Sequence, residues 1–233
     1  MDIKVIASSS SGNCYLISDG KTNILIECGI SIKTIQIALE FNLSRVAGCF
    51  ISHCHNDHSK AARDLAKMGV DIYTSQGTIG ACSLTGHRIH PIKALEELTV
   101  GTFKVLPFGI EHDVPEPLGF LFETVYLKEK LLFFSDTYYL RYRFNKLNYI
   151  MAECNYSNEA LQRSVDAGYI PIELVPRLMK SHMSLEHLLD LLRANDLSHV
   201  KQIYLLHLSK NNSNEKHFKK EVQRLTGTEV YVC

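Results

Sequence analysis

Between Ser52 and Ser59 the chain reads His53-Cys54-His55-Asn56-Asp57-His58, three imidazoles and one carboxylate in six residues. Uncoordinated histidines crowded this closely would repel one another once protonated and add little to a core. Nitrogen and oxygen donors at this density instead suit divalent transition metals. His53 and His55 are two apart, so in an extended segment their rings point to the same side. Asp57 and His58 follow where the chain is expected to turn into a helix, and can aim at a neighbouring point. One short stretch can therefore serve two metal ions, but it cannot complete either site alone.

The cluster has to be delivered by a rigid element, and Val46 to Ile51 reads as a buried strand that does so. Ser59 to Met68 reads as the helix leaving it, stopped by Gly69. Ahead of it lie strands at Ile3 to Ala7, Cys14 to Ile17 and Asn23 to Glu27, then a helix capped by Ser31. Further strands are expected at Asp71 to Thr74, Leu98 to Val100, Phe103 to Phe108, Gly119 to Val125, Leu131 to Phe134 and Tyr149 to Ala152. The last third is mostly helical, over Asn158 to Asp166, Ser184 to Ala194 and Asn214 to Leu225. Strands at Val200 to Leu206 and Glu229 to Val232 interrupt it. Two β-rich blocks, each followed by helices, predict an α+β chain in which two sheets pack face to face with helices outside. No repeat or linker is visible, which predicts one domain over residues 1–233.

Three residues at strand ends can complete the metal site: His112 after Phe108 to Glu111, Asp136 after Leu131 to Ser135, and His207 after Ile203 to Leu206. An ionised Asp136 leaving so apolar a strand calls for a counter-charge, and a metal is one. The Ser8 to Asn13 loop offers hydroxyls and amides. It reads equally as a polar turn or as a lip over a site, in which Ser9, Ser10, Ser11, Gly12 and Asn13 would touch substrate. His182 precedes a helix capped by Ser184, so the imidazole and the free amides of that helix start could converge on a phosphate, or His182 could protonate a leaving group. Asn155 and Ser209 are weaker candidates for the same role. Arg141-Tyr142-Arg143-Phe144-Asn145-Lys146 alternates basic with aromatic residues. Such a segment can track a phosphodiester backbone and stack a base, and it also describes a solvated turn.

Composition narrows the class. The chain is 45% hydrophobic and 21% charged with a formal net charge of zero, so nucleic acid would have to be held by a local patch. No apolar run reaches the ~20 residues needed to cross a bilayer, and the first residues, an acid followed by a strand pattern, do not read as a signal peptide. Seven scattered cysteines read as reduced thiols of a cytoplasmic protein. No feature specifies an oligomer.

With His53, His55, Asp57 and His58 matching His-x-His-x-Asp-His, and His112, Asp136 and His207 following in order, the sequence resembles the metallo-β-lactamase superfamily. The resemblance implies a four-layer αββα sandwich. It also implies two divalent ions, Zn or Mn with Fe also suited. One would lie on His53, His55 and His112 and the other on Asp57, His58 and His207, with Asp136 bridging. Within the superfamily the chain is most similar to small bacterial and phage DNA exonucleases, through Ser8 to Cys14, Glu153 to Tyr156, Ser181 to Ser184 and His207 to Asn212. The activity implied is a phosphodiesterase, a DNA exonuclease in which a metal-bridging hydroxide attacks phosphorus, Asp57 orients the nucleophile and His182 assists. Alternatives on the same site are hydrolysis of a small ester, thioester or lactone, or RNA processing. Glu27 stands where the family usually has Asp, an acid that buttresses the histidine loop.

Overall fold

The computed structural model describes residues 1–233, which divide into two compact units, Met1–Gly109 with Val114–Glu129, and Ile110–Asp113 with Lys130–Cys233. The strands form two mixed sheets, flanked by helices. No helix is long and apolar enough to cross a membrane.

In the first unit, β1 (Asp2–Ala7), β2 (Cys14–Ser18) and β3 (Asn23–Ile26) form an antiparallel meander. The turn between β2 and β3 is closed by Asp19, whose Oδ1 accepts from Lys21 N and Thr22 N at 3.0 and 2.9 Å. Helix α1 (Ile32–Ala38) starts at Ser31, whose hydroxyl accepts from Thr34 N. Strand β4 (Val46–Phe50) lies parallel to β3, and helices α2 (Asn56–Ser59) and α3 (Ala62–Lys67) follow it. Parallel strands β5 (Ile72–Thr74) and β6 (Ile89–Pro91) flank helix α4 (Gln76–Cys82) and complete a sheet in the order β1 to β6. Strands β7 (Leu98–Val100), β8 (Phe103–Gly109) and β9 (Leu118–Thr124) make a second meander. Phe50 of β4 packs edge-on against Phe120 and Phe122 of β9, with ring centroids 5.5 and 5.3 Å apart. The inner faces of the two sheets meet there.

The second unit has four parallel strands, β10 (Lys130–Phe134), β11 (Tyr149–Glu153), β12 (Gln202–Leu206) and β13 (Glu229–Val232). The near-continuous apolar runs of β10, β11 and β12 fit parallel strands covered on both faces. Helices α5 (Asn158–Asp166), α6 (Val175–Ser181), α7 (Leu185–Arg193) and α8 (Glu215–Thr226) occur in the same unit. Ser157, Ser184 and Asn214 cap α5, α7 and α8 through their side-chain oxygens.

One local expectation needs correction. The helix expected from Ser59 to Met68 is two short helices, and the first begins early enough to include Asp57 and His58. A continuous helix would bond Ala61 N to Asp57 O. Instead Ala61 N donates to Cys28 O at 2.9 Å, and Asp57 O accepts from Asn13 N at 2.8 Å. Long-range partners thus override local propensity. Strand β6 and helix α6 also lie in stretches whose periodicity did not announce them.

Candidate metal centre

The first unit builds one set of donors. The register of β3 and β4 pairs Ile26 with Phe50, so the residues that follow, Glu27 and Ile51, emerge side by side. Glu27 is fully buried with a positive φ of 60°, an orientation costly for a side chain other than glycine's. Its carboxylate accepts from Ser52 N at 3.3 Å and lies 3.5 Å from His58 Nδ1. A carboxylate behind one ring nitrogen fixes the tautomer and turns the other nitrogen outward. His58 Nε2 accordingly faces Asp57 Oδ2 at 3.4 Å and Asn13 Nδ2 at 3.3 Å. On the other side of the turn, His53 Nδ1 is bonded to Ser52 Oγ at 2.8 Å, and its Nε2 lies 3.1 Å from His55 Nδ1. The longer Glu27 side chain thus still braces this loop.

The turn is held from behind by the β1–β2 loop. Asn13 is buried, and its Nδ2 donates to Asp57 O at 3.2 Å and to Ser9 O at 3.1 Å. Its Oδ1 accepts from Ser9 N and from the Tyr15 hydroxyl. Ser10 and Ser11 lie at the loop tip, and Gly12 N closes it by donating to Ser9 O at 3.0 Å. Gly29 passes so close behind that a Cβ there would stand 1.6 Å from Asp57 O. Gly29→Ala is therefore expected to cost roughly 1–3 kcal/mol and to lower bound metal. Urea unfolding and metal analysis read the two effects, and a variant as stable as the parent would contradict the close approach.

The second unit builds the other set. Parallel register aligns Phe134 of β10 with Ala152 of β11, and Ala152 with Leu205 of β12. Asp136, Glu153 and His207 therefore leave three adjacent strand ends together. Asp136 and His207 have positive φ values of 50° and 54°, so both turn sharply off their strands. His207 Nδ1 lies 3.3 Å from Asp136 Oδ1 and 3.2 Å from Glu153 Oε1, and His112 Nε2 lies 3.9 Å from Asp136 Oδ2. His182, at the end of α6, places Nδ1 2.6 Å from Glu153 Oε1 and 4.0 Å from Asp136 Oδ1. Donor atoms of Asp136, Glu153, His182 and His207 all fall within 4.8 Å of one another.

Burial pushes the Glu153 carboxyl up, but the charge of His182 and hydrogen bonds from His182 and His207 outweigh it and hold the group below its ordinary value. For His182 burial acts downward, and the Glu153 carboxylate reverses it, leaving the imidazole raised. Glu153 Oε2 also accepts from Thr137 N and Met183 N at 3.1 and 3.2 Å. Sequence reasoning passed over this residue as a ligand or brace. Its signal was the one that marked Asp136, an acid ending a wholly apolar strand.

The remaining candidates are engaged with the scaffold. Asn155 Nδ2 donates to His207 O at 2.8 Å. Ser184 Oγ accepts from His187 N at 3.1 Å as a helix cap, and Ser209 Oγ accepts from Asn212 N at 3.3 Å. His90 lies in β6 with Nε2 3.0 Å from Asp71 Oδ1, consistent with a structural role.

These donors suit divalent ions. Two ligand nitrogens 2.0–2.1 Å from a tetrahedral ion stand about 3.3 Å apart, close to the 3.1 Å between His53 Nε2 and His55 Nδ1. Asp136 and Glu153 are carboxylates only 2% and 0% exposed, a placement that calls for cationic partners. The His/Asp clusters are consistent with a dinuclear metal site.

The two-sheet fold is that of metallo-β-lactamase-fold proteins, and its His/Asp clusters could hold metal ions. The family model for the metallo-beta-lactamase superfamily matches residues 9–70, from the serine-rich loop past the histidine cluster. The chain is distantly related to bacterial exodeoxyribonucleases. It is 27% identical to exodeoxyribonuclease YycJ of Bacillus anthracis over 99% of this chain and 89% of that one. With exodeoxyribonuclease WalJ of Streptococcus pneumoniae it shares 28% identity over 90% and 82%. The metallo-beta-lactamase fold protein YhfI from Bacillus subtilis superposes with a TM-score of 0.73 at 16% identity, over 99% of this chain and 95% of that one, which establishes the fold alone.

Proposed function

We propose that this protein is a divalent-metal-dependent phosphodiesterase that shortens DNA from an end. The observation that carries the hydrolytic part is the pair of buried His/carboxylate sets, each braced from behind by an acid, Glu27 in one and Glu153 in the other. The nucleic-acid part is supported by similarity to exodeoxyribonucleases over nearly the whole chain.

Following the family resemblance, His53, His55 and His112 would hold one ion and Asp57, His58 and His207 the other, with Asp136 shared. Zn and Mn suit this imidazole and carboxylate set, and Fe does too. When bound, two such ions supply Lewis acidity and bring the pKa of a bound water toward neutrality.

The chain's own groups do the rest. Glu27 lies 3.5 Å from the His58 ring and Ser52 bonds His53 Nδ1, which limits how far either ring can turn as charge develops on phosphorus. Asp57, with a side chain 23% exposed, can accept a proton from the attacking water and orient it. His182 is 24% exposed and held through Nδ1 by Glu153, which leaves Nε2 to donate a hydrogen bond or proton to the leaving oxygen. No covalent intermediate with the protein is required.

Hydrolysis of single- and double-stranded DNA, RNA of the same sequence and a model thioester, each with Mn or Zn and with chelator, tests this reading. DNA that shortens stepwise, with all activity lost in chelator, is the expected result. Intact DNA beside a cut thioester or RNA would keep the metal centre and overturn the substrate.

A further inference from the structure

Resting on the nuclease reading, we propose that the pocket between the Tyr138–Arg143 segment and helix α7 binds one base of a DNA strand, and that Tyr139 stacks on it. The pocket encloses about 290 Å³. That lies at the lower edge of the roughly 300–1,000 Å³ typical of small-ligand sites, so it suits a single nucleotide rather than a duplex. Tyr138, Tyr139 and Tyr142 line it together with Arg141 and Arg143. Rings that stack on any base, mixed with guanidinium groups that attract phosphate, recur where single strands are bound without sequence preference.

The walls are anchored to the Asp136, Glu153 and His182 cluster. The segment begins two residues after Asp136, and Thr137 N donates to Glu153 Oε2. Met183, which also lines the pocket, follows His182 and donates its own N–H to the same oxygen. A base held here would therefore belong to a nucleotide close to the bond that is cut.

The segment is also set before any ligand arrives. Thr137 Oγ1 donates to Tyr139 O at 2.9 Å, the His187 ring bonds Tyr138 O at 3.1 Å, and Phe144 N donates to Asn195 Oδ1 at 2.8 Å. Leu140 and Phe144 are buried while Tyr139 remains 55% exposed. The backbone is thus fixed by its neighbours and the ring is left facing outward, an ordering cost met before binding. Arg141 pairs with Glu111, and Arg143 is exposed at the rim.

The test is binding of a labelled single-stranded oligonucleotide, followed by anisotropy in chelator, against the same strand with abasic residues at its end. Cleavage with Mn is measured in parallel. Wild type is expected to prefer the base-bearing strand by about tenfold. Tyr139→Ala should abolish that preference and Tyr139→Phe should keep it. Arg143→Ala should weaken both strands and flatten the dependence of log Kd on log salt by about 0.7. Equal affinity of wild type for the two strands, or a preference that survives Tyr139→Ala, would overturn the pocket even if DNA is cut. DNA bound with base preference yet never cut would sink the nuclease reading and leave the binding site standing.

Discussion

Asp136→Asn is expected to lower turnover on the preferred substrate by on the order of 10³-fold, about 4 kcal/mol of barrier, with metal content falling in step. The substitution is chosen because it isolates charge. Asparagine has nearly the shape of aspartate and tolerates the left-handed backbone that Asp136 adopts at φ 50°. The fold should therefore survive while the anionic donor disappears. That donor lies against His207 at 3.3 Å and His112 at 3.9 Å, so its loss removes the one charge those two imidazoles share. Steady-state rates with metal in excess, beside elemental analysis of the purified variant, give the answer. A variant that keeps its metal and loses less than tenfold in rate would remove Asp136 from the centre.

Glu153→Ala should act mainly on stability. Glu153 is completely buried and accepts from four groups: Thr137 N, Met183 N, His182 Nδ1 and His207 Nδ1. Truncation removes the acceptor of the Thr137 and Met183 amides and the carboxylate that His182 meets at 2.6 Å. Breaking a buried pair of this kind costs roughly 3–5 kcal/mol. For a chain of this size each kcal/mol moves the midpoint about 2–4 °C, so melting should fall by roughly 6–20 °C. Glu153→Gln, which retains one acceptor oxygen, should lie between the two. Thermal melts with and without added metal separate this effect from loss of the ions. A melting point within a degree or two of wild type would show that Glu153 is not the brace its contacts describe.

Much of this centre was legible in the chain because its parts are local. The histidine cluster is contiguous, and Asp136 and His207 each end an apolar run, where a polar residue stands out. The sheets were legible for the same reason, since β10, β11 and β12 are almost wholly apolar. Glu153 carries the same mark, an acid ending an apolar run, but its partners do not follow from it: only the alignment of β10, β11 and β12 brings its carboxylate beside Asp136 and His207. The break between α2 and α3 was hidden too, since it is made by Cys28 and Asn13, far away in sequence. Asn13 itself read as a loop residue available to substrate. Its amide is committed to the Asp57 turn, and this follows from a meeting of two loops that periodicity does not describe.

The left-handed residues at the strand ends carry a price in fitness as well as geometry. Glu27, Asp136 and His207 each hold a backbone that glycine would adopt freely, at about 1 kcal/mol or more apiece. Set against a total of roughly 5–15 kcal/mol for a folded domain, that strain is a sizeable share. Thermostability can instead be gained at residues outside the site that hold the same backbone, Phe41, Leu95 and Lys128 among them, where glycine would release strain without touching a donor.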